Sequence, residues 1–288
     1  MSDSRVTVLP DGRDLGWIEV GDATGTPIFG FHGTPGSRYE IAMDEAPLSE
    51  AGLRLICVDR PGYGLSSFKR GRRLVDWPRD VEHLADHLGI QRFAVIGHSG
   101  GGPHAAVCAA LLGERVTAAA IVSGVGPLDD ERAFESMKRS DQVQMGLSRR
   151  RSIVMRAASN LQMGVFRQFP SWTLDLMAKH LSAPDVEILS RTTVRAVMEL
   201  EAKRMSRTTG EAVAQDLEIF VADWGFELGD IKVPVHIWQG DADLSVPAMH
   251  ASIMHEAIPG SVLHEMLGAG HFFIFDRLAE IGLALKVA

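Results

Sequence analysis

Short apolar runs rich in β-branched residues alternate with longer stretches of helical periodicity up to about residue 125. RVTVLP and LGWIEVG read as two strands separated by the turn-forming DGRD, since Gly and Asp supply the backbone angles a tight turn requires. PIFGFHG is a compact apolar strand ending in the loop HGTPGS, and a helix is expected from about Arg38. LRLICVD is a further buried strand. DWPRDVEHLADHLGI has Pro near its start, apolar residues at helical spacing and Gly at its end, which are helix start and stop signals. FAVIGHS is a strand that halts at Ser99, the Ala- and Leu-rich PHAAVCAALLGE a helix, and VTAAAIVSG a strand again.

This alternation implies a mostly parallel sheet with helices on both faces. It stops near Pro127, and to about Gly229 only helix-like stretches follow, such as DVEILSRTTVRAVMELEAKRM. The pattern then resumes with the strand VPVHIWQG, a helix from about Pro247, the strand SVLHEML and a last helix after Gly270. The economical division is a core of residues 1–126 and 230–288 with an all-helical lid, residues 127–229, inserted between two strands of one sheet. Such an insertion adds no strand, so it is expected over the sheet's C-terminal edge.

Composition narrows the class. Hydrophobic residues make up 45% and charged residues 23% of 288 residues, an ordinary globular balance, and no fixed-period repeat interrupts it. The formal charge of −8 argues against nucleic acid or an anionic membrane as partner. A local exception is the run of Lys138, Arg139, Arg149, Arg150, Arg151, Arg156 and Arg167, read as a solvated helix face, with an anionic-substrate or membrane-facing role as the alternative. Cys57 and Cys108 sit in apolar stretches with no flanking ligands, so neither a disulfide framework nor a metal motif is indicated. The N-terminus lacks a charged-then-apolar signal region and no run reaches the length of a membrane span, so a cytoplasmic location is expected.

The chemistry concentrates at Gly97-His98-Ser99-Gly100-Gly101, a G-x-S-x-G between a strand and a helix. A serine on that sharp bend exposes its Oγ, and the residues two before and two after pass too close for side chains. The helix that follows aims its N-terminal amides at the site. Serine needs a base. Among 11 histidines, His271 in GAGHFFIF lies in a loop after the last strand, where it can reach a nucleophile at the same sheet edge. The base needs a carboxylate to hold its tautomer. QGDADLSVP offers Asp241 and Asp243, one to cap the following helix and one to orient His271, and its phrasing favours Asp243. Asp129 or Asp130, after VTAAAIVSG, is the further alternative. Oxyanion donors are expected from the backbone N–H groups of Gly100 and of Thr34 in HGTPG.

HGTPGS, DRPGYGLSS, GHSGGG, GDADLSVP and GAGHF together resemble the α/β-hydrolase superfamily in order and spacing. The resemblance implies an eight-stranded, mostly parallel sheet, a helical lid between strands 6 and 7, and a triad in the chain order Ser99, Asp243, His271. It also implies that Asp59-Arg60-Pro61-Gly62 shapes the sheet's edge rather than performing chemistry. Ser99 at the elbow disfavours the dehalogenases and epoxide hydrolases of this fold, which use Asp there. The activity expected is cofactor-independent, metal-free hydrolysis of a carboxylic ester or lactone; C–C hydrolysis of a ring-cleavage product and a hydrolase-fold ligand receptor are the alternatives. Met137, Met145, Met155, Met163, Met177, Met198 and Met205 fall in the lid, where they either pack helices onto the body or form an adaptable apolar roof for a bulky substrate.

Overall fold

The computed structural model describes residues 4–42, 45–150, 152–206 and 208–286. Its strands are β1 (Arg5–Val8), β2 (Asp14–Gly21), β3 (Thr26–Phe31), β4 (Leu53–Val58), β5 (Phe93–His98), β6 (Val116–Val122), β7 (Val235–Gly240) and β8 (Val262–Met266). They form one sheet in the order β1-β2-β4-β3-β5-β6-β7-β8. Only the pairings of β1 with β2 and β2 with β4 are antiparallel. The chain therefore has the eight-stranded, mostly parallel sheet of the α/β-hydrolase fold.

Period-two alternation sorts the side chains between two helical layers. Phe29, Phe31 and Val95 point to the face covered by α2 (Trp77–His87) and α3 (Gly102–Leu111). Ile28, Ile96 and Ala120 point to the opposite face, beneath α1 (Ala46–Glu50) and α12 (Ile274–Ala284). Parallel register sets Phe31 beside Gly97 and His98 beside Val122, so the loops after β3, β5 and β6 emerge together at one edge.

One expected element is replaced. The segment from Arg38 is a hydrogen-bonded turn, and the first helix begins only at Ala46. Its polar groups bond inward instead of along a helix: Arg38 N–H donates to Asp59 Oδ1 at 2.8 Å, and Glu40 Oε1 accepts from Gly33 N–H at 2.9 Å.

Between β6 and β7, among the described residues, lie seven α-helices and no strand. They are α4 (Glu131–Ser136), α5 (Arg139–Arg149), α6 (Ile153–Gln168), α7 (Pro170–Ala178), α8 (Ala183–Ser190), α9 (Thr192–Arg204) and α10 (Thr209–Phe220); α11 (Ala248–Ala257) follows β7. Within the basic run, Arg149 donates to the Leu128 carbonyl at 2.6 Å, and Arg156 pairs with Glu218 at 2.9 Å, tying α6 to α10. Arg151 lies outside the described residues. Among the described residues no helix is long and apolar enough to cross a membrane.

Candidate active site

β5 ends at His98 and passes through one turn of 3₁₀ helix, Ser99–Gly101, directly into α3. Ser99 takes φ 53°, the left-handed region, at a cost of order 1–3 kcal/mol for a residue with a Cβ. The glycines around it follow from close backbone approaches. A Cβ on Gly97 would lie 2.2 Å from the Gly101 carbonyl oxygen, and one on Gly101 would lie 2.2 Å from that of Phe31. A Cβ on Gly100 would collide with the Thr34 hydroxyl at 2.3 Å, so the loop after β3 lies directly against the elbow.

His271 sits in the loop between β8 and α12, and its Nδ1 donates to Asp243 Oδ2 at 2.7 Å. That bond fixes the tautomer and leaves Nε2 as the free basic nitrogen. Burial pulls the His271 pKa down, but the Asp243 carboxylate more than offsets this, so it ends above its ordinary value. Burial pushes Asp243 up; the His271 charge and the N–H groups of Val246 and Ser245 outweigh it and hold the carboxyl below the usual range. Asp243 thus orients His271 and also holds the turn before α11, while the helix cap expected of one aspartate is absent, since α11 starts after Pro247 with no side-chain cap. Asp243 Oδ1 accepts from the Ser245 and Val246 N–H groups at 2.8 and 2.9 Å while Oδ2 holds His271. Asp241 instead pins the next loop, accepting from Gly268 N–H at 2.7 Å. Asp130 caps α4 and pairs with Arg132.

His98 bridges the two halves of the site. Its Nδ1 bonds Glu40 Oε1 at 2.7 Å, and its Nε2 donates to the His271 carbonyl at 3.1 Å. The His271 loop is held from the other side by Asp185 of α8, fully buried, which accepts from Phe272 N–H at 2.8 Å.

Ser99, His271, Thr34 and Gly100 all face one cavity of about 730 Å³. Six of the seven methionines between β6 and β7 line it with Phe166, Leu174 and Phe220, whereas Met155 is buried in the core cluster away from it. Trp172 and Phe169 are exposed on the outside. At one end stand Ser37, Arg204 and Glu201, with Ser37 Oγ donating to Glu201 at 2.5 Å. Burial, with the nearby Glu40 charge adding to it, pushes the Glu201 carboxyl up to about 8. Among the described residues no group of three or more His, Cys, Asp or Glu could hold a metal ion.

Sequence reasoning missed Glu40, Asp185, Glu201 and Asp216, and placed Arg60 at the sheet's edge without its contacts to the site. Arg60 does shape the sheet's edge, but by reaching across it to the carbonyls of Gly33 and Gly100 at 2.7 and 3.4 Å. Asp216 had a readable signal: in EAVAQDLEIF it is an acid at helical spacing among the buried Ala212, Val213, Leu217 and Phe220.

Residues 26–278 match the α/β-hydrolase fold family, and the chain belongs to that family and is a hydrolase. It is 28% identical over 286 residues to the uncharacterised hydrolase YcgS of Bacillus subtilis, covering 97% of this chain and 96% of that protein. It is 26% identical over 286 residues to a 2-hydroxy-6-oxononadienedioate/2-hydroxy-6-oxononatrienedioate hydrolase of Cupriavidus pinatubonensis, covering 93% and 89% of the two chains. An esterase from Exiguobacterium antarcticum shares the fold, with a TM-score of 0.71 at 20% identity over 98% of this chain and 97% of that one.

Proposed function

We propose that this hydrolase cleaves a carboxylic ester or lactone of a bulky hydrophobic small molecule through an acyl-enzyme on Ser99. The observation that carries the reading is the meeting, in one cavity, of a serine at positive φ on a strand–helix bend with a histidine oriented by a buried aspartate. Ser99 Oγ attacks the carbonyl carbon as His271 Nε2 takes its proton, and Asp243 stabilises the imidazolium. The oxyanion accepts from the Thr34 and Gly100 N–H groups. Collapse expels the alcohol, which takes the proton from His271; water, activated by the same histidine, then releases the acid. The helices between β6 and β7 act as the lid, and their methionines form its adaptable apolar lining.

Intact mass after incubation with a small fluorophosphonate tests this. A single adduct on the wild type that vanishes in Ser99→Ala, with ester turnover lost in parallel, is the expected result. Ser99→Ala with full turnover on every ester the wild type accepts would falsify the mechanism. C–C hydrolysis is the second reading, favoured by the full-length similarity to the dienedioate hydrolase. It requires absorbance loss of a coloured dienoate at a rate exceeding that on simple esters.

A further inference from the structure

The two N–H groups assigned to the oxyanion are aimed by what holds the carbonyls of their own peptides. In a trans peptide the N–H points opposite to the C=O, so gripping the oxygen directs the hydrogen. The Gly33 carbonyl accepts from Arg60 Nη2 at 2.7 Å and from His32 Nδ1 at 2.8 Å, which turns the Thr34 N–H away from both. The Ser99 carbonyl accepts from Val125 N–H at 3.1 Å, which turns the Gly100 N–H the other way.

Arg60 is fully buried and belongs to a charge cluster whose centre comes from a distant part of the chain. Asp216 of α10 lies 2.8 Å from Arg60 Nη1 and also pairs with Arg72. The same carboxylate accepts from Tyr63 Oη at 2.7 Å and from Thr34 Oγ1 at 2.9 Å. Thr34 Oγ1 in turn accepts from Arg60 Nη2 at 2.7 Å. The Thr34 hydroxyl is therefore fixed as donor and as acceptor, and it is the atom packed against Gly100. On the other side of Gly100, His104 Nδ1 donates to its carbonyl at 2.9 Å.

We propose that Asp216 is a positioning residue for the oxyanion site, acting through Arg60 and the Thr34 hydroxyl; this rests on the hydrolase reading above. Asp216, which does not line the cavity although Phe220 of the same helix does, then sets the geometry of a catalytic loop without touching substrate. Burial acts to raise the Asp216 pKa, but the Arg60 and Arg72 charges win and hold it below the usual carboxylate range, so the tether stays charged across working pH.

Three variants test this with p-nitrophenyl butyrate as substrate and an alkyl trifluoromethyl ketone as tetrahedral-adduct inhibitor. Thr34→Val removes only the hydroxyl and leaves the three charges in place. Asp216→Asn with Arg72→Met removes the tether while leaving the cluster's net charge unchanged, which guards against simple unfolding. Glu218→Gln, on the same helix but paired with Arg156, is the control. For the first two, kcat should fall about 10–100-fold with KM within about threefold, since a displaced oxyanion donor costs transition-state rather than ground-state binding. The inhibitor constant should rise by a similar factor, and Glu218→Gln should match the wild type in both readouts.

A folded Thr34→Val or Asp216→Asn/Arg72→Met enzyme with wild-type kcat and inhibitor affinity overturns the proposal. So does a change confined to KM, which would make the cluster a structural clamp on the substrate cavity. If Ser99→Ala still turns over the ester, the proposed Ser99 acyl-enzyme mechanism fails and takes this one with it. If Ser99 is essential while both variants behave as wild type, only the positioning role fails.

Discussion

Two parts of the chain meet at Ser99, and they hold it by different physics. The β-sheet body works through backbone: a strand, one 3₁₀ turn and a helix run together so tightly that Gly97 and Gly101 leave no room for a Cβ. The helices between β6 and β7 work through side chains sent over long sequence separations. Asp216 meets Thr34 across 182 residues, and Asp185 meets Phe272 across 87. A backbone constraint is local and tolerates almost no substitution. A side-chain tether costs desolvation of a carboxylate and is worth keeping only if its partners are fully supplied, as they are for both aspartates here.

That contrast ranks the expected effects. The largest loss should come from Asp243→Asn, where the acid sits on the body's own loop and, among the described residues, no other carboxylate bonds the His271 ring. A fall in kcat of about 10⁴-fold is expected, because the amide favours the wrong imidazole tautomer. The acid limb should move as well. The proposed base His271 must be neutral to take a proton, and Asp243 raises its pKa, so turnover should fall as pH drops through a value above 6.5. Without that carboxylate, burial is opposed only by the weaker Asp185 and Glu40 charges, and the limb should shift to lower pH. A folded Asp243→Asn enzyme within tenfold of wild type would break the ranking, and a limb that does not move would detach Asp243 from the base.

Glycine scanning sharpens the same comparison by stability. Gly97→Ala drives a Cβ into the Gly101 carbonyl oxygen at 2.2 Å, a collision with backbone that no rotamer relieves. A loss of about 3 kcal/mol or more is expected, at the upper end for a single core substitution, together with activity. Gly164, in α6, has nothing within 4 Å of the corresponding position. Gly164→Ala should stabilise by about 0.5–1 kcal/mol through helix propensity alone. Thermal melts of the pair decide it: if Gly97→Ala melts with the wild type, the elbow is not the rigid element described here.

The same division explains what could be read from the sequence. Strand and helix periodicity, the parallel alternation and the Gly-spaced elbow are local signals, and they led to the mostly parallel sheet with helices on both faces and to Ser99, Thr34 and Gly100, which line one cavity. His271 and Asp243 were accessible because both lie in loops directly after strands. The helix expected at Arg38 failed because propensity knows nothing of Asp59 and Glu40 bonding inward. Local phrasing favours Asp243 over Asp241, and the three-dimensional approach of His271 to Asp243 is what separates two acids that sit in one turn. Arg60, Asp185 and Asp216 act on partners far along the chain, and a lone acid on an apolar helix face marks a buried tether without naming its other end.

Glu201 should give a small effect and the clearest sign. It projects from α9 into the cavity, accepts from Ser37, and burial with the Glu40 charge pushes its carboxyl from 4.5 to about 8. A raised folded-state pKa stabilises the protein fully below the unfolded value and loses that contribution as pH rises through the folded one. The window therefore opens near 4.5 and closes near 8. At pH 5 the neutral acid and its amide are nearly equivalent, so Glu201→Gln should melt within about a degree of wild type. At pH 9 the wild type carries a buried carboxylate beside Glu40 and the variant does not. There the variant should be more stable by about 1 kcal/mol, or roughly 2–4 °C, after allowing for the cavity's solvent. Equal melting temperatures at pH 9 would mean that Glu201 ionises as an ordinary surface acid, and the cavity's polar end would then be open to water rather than enclosed by the helices.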